Sequence, residues 1–479
     1  MNLRLTLRIQ GGLLLFLAAM LLVPVPVSVW YRDGAWLGFA LSSVFTAGVG
    51  ALLLRLFREP EELTVREGFG IVTIAWLLFA TFGALPYVLS GTIRNPVGAF
   101  FEAMSGFSTT GSTVIENLAP VAQSVLLWRS MTQWLGGMGI IVLSLAILPL
   151  LGVGGMQLFE AEMPGPVKDR LRPRIQDTAK LLWGVYFLLT SAEVSALILG
   201  GVRPFEAVCH SLTTMATGGF STRNGSIGEL GGSYVHWIVT LFMFLAGVNF
   251  TLHYHALRGR PDRYFRSEEL RFYLKVILGA VLCLFLLNFR AAADPLTNLR
   301  DAAFQTVSIL TTTGFATADY ELWPVAAQYL LICLMFLGGC AGSTGGGMKH
   351  LRVLLLLKHA FQTLSRLVHP RRVLVLKIDG KPVSGAVIES ILGFFAFYIG
   401  LFVVASLCMA ALGCDLLTAG GSVIACLSNI GPGLGTVGPT ETFAHLPAAG
   451  HLLLSLCMLV GRLEVFTVLV LVLPSFWRR

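Results

Sequence analysis

The chain has 479 residues, of which 55% are hydrophobic and only 13% are charged. Globular domains carry roughly 25% charged residues, so this composition excludes an ordinary soluble protein of this length. The formal net charge of +8 does not indicate a nucleic-acid ligand, because the 34 Lys and Arg residues lie mainly between apolar runs, where the positive-inside rule expects them.

Two apolar helices are predicted at the start of the chain, at 9–30 and 35–56. A signal peptide is the alternative for the first of them, since it follows a short basic segment. That run contains two prolines and ends at Trp30 without a small-residue cleavage site. We therefore expect a retained membrane helix.

A larger unit then recurs four times, with a long apolar helix, a short segment that ends in glycine, and a second long helix. The first helices are predicted at 68–90, 179–201, 270–290 and 385–411, and the second helices at 123–150, 234–258, 325–360 and 448–476. The predicted organisation is an N-terminal pair of helices in 1–60 and four repeats in 61–165, 166–262, 263–366 and 367–479.

The short segments are too short to cross a membrane. About 12 to 14 helical residues cover only ~20 Å of the ~30 Å hydrocarbon core. Each segment must therefore enter the membrane and return, which unpaired backbone tolerates only where it lines a water-filled path inside protein. The placement of Lys and Arg puts all four segments on the extracellular half and both termini in the cytoplasm.

Each short segment ends in a similar polar string, exemplified by TTTGFAT at 311–317. The glycines at 111, 219, 314 and 431 permit dihedrals that other residues avoid, so neighbouring carbonyls can turn toward a common axis. A glycine that merely ends a helix is the alternative. The strings contain no carboxylate, and rings of neutral carbonyl oxygens suit a dehydrated monovalent cation.

An acidic residue lies near the predicted start of each short helix. These residues are Glu102, Glu206, Asp301 and Asp415. Compensation of the helix dipole is the simpler interpretation, and attraction of cations to the mouth is a minor additional role.

The four strings, the GGCAGSTGGGMKHLR stretch and the late GRLEVF together resemble the Trk/Ktr/HKT superfamily of potassium transporters, above all its bacterial TrkH type. The resemblance spans essentially the whole chain. It implies an all-α polytopic membrane protein with two N-terminal helices and four helix–pore-helix–helix repeats in pseudo-fourfold arrangement around one pore. It also implies uptake of K⁺ through a backbone-carbonyl filter.

By this resemblance the filter comprises three residues from each string. They are Thr109, Thr110 and Gly111; Thr217, Gly218 and Gly219; Thr312, Thr313 and Gly314; and Asn429, Ile430 and Gly431. The second and fourth strings depart from the common pattern. In the plant branch of the superfamily a Ser at the first glycine accompanies sodium selectivity, so Gly111 favours potassium.

A gate is predicted in the second helix of the third repeat, where six of ten residues are glycine. They are Gly338, Gly339, Gly342, Gly345, Gly346 and Gly347. So many glycines should break the helix into a loop that lines a cavity, and close helix packing is the alternative. In TrkH-like proteins the matching segment obstructs the pore.

Two basic residues complete the predicted gate. Lys349 follows the Gly-rich stretch, although it could instead extend to the cytoplasmic interface. Arg462 lies inside an apolar run, where a charge is costly and usually functional. The resemblance places this Arg in the pore beneath the filter. A structural ion pair with Glu193 is the alternative, and Glu464 is a weak candidate partner.

Two other functions are compatible with a helical membrane protein. An intramembrane enzyme is disfavoured, because the sequence has no HExxH, GxSxG or P-loop motif and no catalytic triad. His253 and His255 face different sides of a helix and do not suggest a metal site. A proton- or sodium-coupled secondary transporter remains the alternative to a channel-like pore.

The cytoplasmic linker at 361–384 contains the alternating VLVLKI and an Asp-Gly pair, which predict a small hairpin. The chain has no nucleotide motif and no organic cofactor is expected. The resemblance implies a homodimer in the bacterial inner membrane, surrounded by lipid. It also implies a separate cytoplasmic nucleotide-binding ring of the TrkA type that docks on the basic linkers.

Overall fold

The computed structural model describes residues 3–57, 65–146, 171–289, 294–370 and 374–477. The predicted end of one second helix, 147–150, and parts of the basic linkers lie outside the described residues. The described part of the chain is built almost wholly of helices, as predicted, together with one short hairpin.

The N-terminal pair comprises Leu3–Leu21, Pro24–Tyr31 and Trp36–Leu56. The predicted first helix is therefore divided just before Pro24, which cannot donate a backbone hydrogen bond to the preceding turn. Gly11 and Gly50 allow the two helices to approach closely, since a Cβ on Gly11 would lie 2.8 Å from the Gly50 oxygen. This contact resembles the small-residue packing of membrane helices.

Four units with the predicted order of helices follow this pair. The first helices are Val65–Gly83 with its extension Leu85–Leu89, Leu171–Leu199, Glu268–Asn288 and Gly385–Ala411. The short helices, numbered first to fourth below, are Pro96–Phe107, Pro204–Met215, Pro295–Leu310 and Leu416–Leu427. The second helices are Gln123–Ala146, Ser233–Ala246 with Phe250–Leu257, Val325–Met335 with His350–Val368, and Ala448–Arg462 with Phe466–Leu469.

Smaller elements connect these helices. They are Ser226–Glu229, Asp262–Arg266, Tyr320–Leu322, Val470–Val472 and Pro474–Trp477. The predicted hairpin is confirmed as an antiparallel pair of strands, Lys377–Ile378 and Lys381–Pro382. Asp379 and Gly380 form its turn, both with positive φ, as a two-residue hairpin loop requires.

The starts of the short helices follow ordinary capping rules. Asn95, Asp294 and Asp415 are N-caps whose side chains accept a backbone N–H of the first turn. The first three short helices also begin with proline, whose missing N–H is unneeded at that position. Local sequence therefore determines where each short helix begins.

The second helices differ from the prediction in two repeats. The segments predicted as continuous at 234–258 and 448–476 are each broken, and their halves meet at 101° and 110°. Asn249 caps the half that follows the first break, and Glu464 and Val465 adopt positive φ at the second. The interruption was predicted only for the third repeat, where Met335 and His350 bound a loop.

Six described helices are long and apolar enough to cross a membrane, and the count rises to eight if each bent pair is one span. Many of their large apolar side chains face outward, including Phe187, Leu278 and Leu407. Lipid is the environment in which such surfaces are stable. The molecule is a multi-pass helical membrane protein.

Candidate ion pathway

All four short helices end in the same backbone motif. The second residue after each C-cap donates its N–H to the carbonyl five residues earlier. These bonds run from Thr110 to Ser105, Gly218 to Thr213, Thr313 to Ser308 and Ile430 to Ala425, at 2.8–2.9 Å. The residue before each donor bonds to the carbonyl three residues earlier. Together these bonds form the Schellman motif, which satisfies carbonyls at a helix end.

The left-handed residue that ends each helix is not the glycine, as the helix-cap alternative would require. It is Thr109, Thr217, Thr312 or Asn429, with φ of 53°, 52°, 63° and 57°. Left-handed geometry is unfavourable for a β-branched residue, by about 1–2 kcal/mol. The glycine two positions later has no part in closing the helix. The alternative that these glycines are ordinary helix caps is therefore wrong.

We call residues 109–111, 217–219, 312–314 and 429–431 the first to fourth glycine strings. Their final glycines all have positive φ, of 92°, 78°, 80° and 106° in chain order. A Cβ on each would meet the carbonyl of the next string: Gly111 that of Gly218, Gly219 that of Thr313, Gly314 that of Ile430, and Gly431 that of Thr110 at 2.7 Å. The contacts close into a ring of backbone from four distant parts of the sequence.

One cavity opens onto this ring. Gly111, Gly219, Gly314 and Gly431 all contribute to its wall. The Thr side chains of the strings are buried, and two of them bond to neighbouring hydroxyls, Thr110 to Ser108 at 2.7 Å and Thr313 to Thr311 at 2.8 Å. The arrangement offers uncharged oxygens in a confined space, which suits a monovalent cation stripped of water better than a divalent one.

A buried ion pair, Arg129 with Glu102, connects the first short helix to the segment that follows the second string. Arg129, on Gln123–Ala146, donates from Nε to Glu102 at 2.8 Å and from Nη1 to the Ser221 carbonyl at 3.1 Å. Its guanidinium also lies 4.1 Å from the centre of the Phe220 ring. Burial of both charges makes this pair a structural link between short helix and second helix.

The predicted position of the four acids, near the start of each short helix, is confirmed for only two. Glu206 lies in the first turn of its helix, and Asp415 is an N-cap. Glu102 and Asp301 lie near the middle of theirs and are paired with Arg129 and Arg300. Residue counting from the sequence misjudged where these two helices begin.

The Gly-rich loop, 336–349, lies directly below the strings. Gly346 donates its N–H to the Thr312 hydroxyl at 2.6 Å, and Thr344 donates its hydroxyl to the Met215 carbonyl at 3.0 Å. A Cβ on Gly345 would lie 2.9 Å from the Thr311 oxygen, and one on Gly346 would overlap the Ser428 oxygen. The loop thus contacts the ends of the second, third and fourth short helices.

The remaining glycines fix the backbone course of the Gly-rich loop. Gly338 and Gly347 lie against each other with positive φ. Gly339 accepts the N–H of His350 and Gly342 that of Phe250, each at 3.0 Å. The predicted break in the helix is confirmed, and close packing of a continuous helix is excluded for this segment.

The two predicted basic residues both point into this region. Arg462 is almost fully buried and donates from Nη1 to the Thr344 carbonyl at 2.7 Å and from Nη2 to the Gly136 carbonyl at 3.4 Å. It bonds backbone oxygens rather than Glu193. Lys349 is also buried and donates to the Gly345 carbonyl, so it does not extend to an interface.

Three functional candidates were missed from the sequence. Glu269 accepts backbone N–H groups from Ala341 at 2.6 Å and from Leu351 at 3.1 Å. Arg352 pairs with Glu464 below the loop. Gln133 contacts the second string. Glu269 and Arg352 lie beside apolar runs where a charge needs a partner, and that signal could have identified them.

The histidine pair forms no metal site. His253 bonds to Tyr264 at 2.5 Å and to the Leu245 carbonyl at 2.8 Å, and His255 contacts Arg263. Within the described ranges, no group of three or more His, Cys, Asp or Glu side chains could hold a metal ion.

Comparisons with known proteins agree along the whole chain. A family model described as TrkH, a cation transport protein, matches residues 38–479. The Trk system potassium uptake protein TrkH of Salmonella typhimurium is 44% identical over 484 residues, and that of Escherichia coli K12 is 43% identical, with 100% of each chain covered. The crystal structure of the potassium transporter TrkH from Vibrio parahaemolyticus superposes with a TM-score of 0.92 at 39% identity, again covering 100% of both chains.

Proposed function

Because this chain belongs to the TrkH family of cation transport proteins, we propose that it takes up potassium through a channel-like pore in the cytoplasmic membrane. In this proposal the four glycine strings are the selectivity filter. Their carbonyl oxygens replace water around a dehydrated K⁺. The chain is a transporter and not an enzyme.

The closed ring of contacts among the strings is the observation that supports a filter. Each ring glycine lies where any side chain would collide with the carbonyl of the next string. Such close approach of backbone to backbone leaves main-chain oxygens as the principal groups at the ring. The strings carry no ionised side chain, which favours a monovalent ion.

We propose that the Gly-rich loop and Arg462 form the gate. The support is their position beneath the strings, with Arg462 bonded to the loop through Thr344. A buried guanidinium at this depth opposes the passage of a cation. Lys349 adds a second positive charge and holds the loop through Gly345.

We also propose that two chains form a dimer and that a cytoplasmic nucleotide-binding ring controls the gate. The relatives are named as parts of a Trk system, which agrees with a separate regulatory component. We place the docking surface at a groove beside the hairpin, which is lined by Arg260 and Arg271 but also by Asp262 and Asp379. Copurification of this chain with such a nucleotide-binding ring tests the regulatory part of the proposal.

Potassium uptake in a transport-deficient strain tests the main proposal. Wild type should restore growth at low potassium, whereas Gly314→Ser should lose uptake or K⁺ preference, since a Cβ there overlaps the Ile430 carbonyl. Gly279→Ser is the matched control, because it lies in the same repeat with open space around it. Equal rescue and unchanged ion preference in Gly314→Ser would contradict the filter assignment.

Reversal potentials in liposomes separate a passive pore from coupled transport. With a passive pore the reversal potential follows the potassium gradient alone. A shift with an imposed proton or sodium gradient would instead favour the coupled alternative.

A further inference from the structure

We propose that Gln133 is a positioning residue that sets the geometry and ion preference of the second glycine string. The inference rests on the proposed filter function and extends it to a residue outside the strings. Gln133 lies on Gln123–Ala146 and is fully buried. Its side chain contacts the one string that differs most from the others at its middle position.

The middle position of the second string has no side chain. It is Gly218, whereas the other strings have Thr110, Thr313 and Ile430. The two threonine hydroxyls bond to neighbouring groups, Thr110 to Ser108 at 2.7 Å and Thr313 to Thr311 at 2.8 Å. Gly218, like Ile430, cannot make an equivalent bond, and it also has no side chain that could pack in its place.

The carboxamide of Gln133 supports the second string. Its Nε2 donates to the Gly218 carbonyl at 2.6 Å, and its Oε1 accepts the N–H of Phe220 at 3.1 Å. One donor and one acceptor on fixed backbone partners determine which way the amide points. The two bonds span the ring glycine, Gly219, and hold the backbone on both sides of it.

Gln133 also explains why this position is glycine. The φ of Gly218 is not positive, so its backbone would accept a side chain without strain. A Cβ there would overlap the Gln133 carboxamide. The carboxamide therefore occupies the space that a side chain at 218 would need, and residues 133 and 218 form a compensating pair.

The bonded carbonyl is also part of the ring. The Gly218 oxygen is the atom that a Cβ on Gly111 would meet. An N–H donor on this oxygen restricts its movement and places partial positive charge near a bound cation. Because ion preference depends on the number and field strength of the coordinating carbonyls, loss of this donor should alter it.

A double-mutant cycle in liposomes tests the compensating pair. Gly218→Thr should reduce ⁸⁶Rb⁺ flux at least tenfold, because the new side chain collides with Gln133. Gln133→Ala/Gly218→Thr should recover flux to within about threefold of wild type, since the deleted carboxamide makes room. If the double variant has no more flux than Gly218→Thr, the proposed compensation between residues 133 and 218 is wrong.

Gln133→Met keeps the volume of the side chain and removes the donor, so it decides the proposal even if the double variant does not fold. We expect its K⁺-to-Na⁺ permeability ratio to fall at least threefold, with normal abundance and elution on size exclusion. Gln328→Met is the control, because Gln328 donates to the Glu321 and Trp323 carbonyls, away from the ring. An unchanged ratio in Gln133→Met would refute the proposed role.

Gly314→Ser in the same assay separates failure of the filter proposal from failure of the proposed role of Gln133. If it alters ion preference while the Gln133 variants do not, the filter proposal stands and the role of Gln133 is rejected. If none of these variants alters ion preference, the filter proposal itself is rejected.

Discussion

Glu269→Leu should open the proposed gate. Glu269 lies at the start of the helix Glu268–Asn288 and is buried against the Gly-rich loop. A single oxygen, Oε1, accepts the N–H of Ala341 within the loop and that of Leu351 just beyond it. The carboxylate thus holds one point within the loop and one just beyond it, and in the proposed gate it would favour the closed arrangement.

The size of the effect follows from these two bonds. Glu269→Leu leaves two N–H groups without an acceptor in the closed loop, at about 1–3 kcal/mol each. Even the lower value gives ~2 kcal/mol, which shifts the closed-to-open ratio about 30-fold. Glu269→Gln keeps an oxygen acceptor and loses only charge assistance, so a shift of about fivefold is expected, from ~1 kcal/mol.

Flux of ⁸⁶Rb⁺ into liposomes without any regulatory partner measures this shift. We expect the flux to be highest for Glu269→Leu, intermediate for Glu269→Gln and lowest for wild type. Glu268→Gln is the matched control, because Glu268 is adjacent but pairs with Lys358 rather than with the loop. A monodisperse Glu269→Leu protein with flux equal to or below wild type would refute the reasoning.

Three further predictions concern charged side chains. Arg462→Ala should raise flux and Arg462→Lys should not, if a buried positive charge is the barrier; unchanged or lower flux in a well-folded Ala variant contradicts this. Arg129→Met should lower the free energy of unfolding by about 3–5 kcal/mol, because Glu102 stays buried without its partner; thermal melting in detergent measures the loss, and Arg129→Met/Glu102→Gln should recover part of it. Burial raises the pKa of Asp33, but hydrogen bonds from Ser28, Ser124 and Ala35 outweigh it and the net pKa is lowered. A lowered folded-state pKa stabilises the fold above the ordinary carboxyl pKa of about 4 and less below it, so the stability difference between wild type and Asp33→Asn should shrink as the pH falls below 4; a difference that stays constant from pH 7 to pH 3 contradicts the assignment.

The order of helices was predictable from the sequence because apolar length and repetition determine it. The first helix of the fourth unit, Gly385–Ala411, has the predicted bounds. The bends after Ala246 and Arg462 were not predictable, since apolar composition continues through both. They depend on tertiary contacts, such as Cys340 donating its N–H to the Gly247 carbonyl at 2.9 Å.

The glycines of the strings and their unusual dihedrals were expected from the sequence, but the residues that end the short helices were not. A glycine after Thr-Thr is compatible with an ordinary helix cap, which was the alternative interpretation. The structure assigns that role to Thr109 and its counterparts, because a Schellman motif closes two residues earlier. Gln133 was missed because its partners are backbone groups far along the chain, which leave no mark in local composition. For Glu269 the available signal was its charge beside an apolar run.

The ring of glycines has a sense of rotation. Each of these residues abuts the following unit in chain order, and the last abuts the first. A methyl group added at one of them therefore strains its own backbone, whose φ is positive, and collides with the following unit. A substitution at Gly314 should therefore disturb the fourth unit and not the second. The fourfold repeat of the sequence does not reveal this handedness.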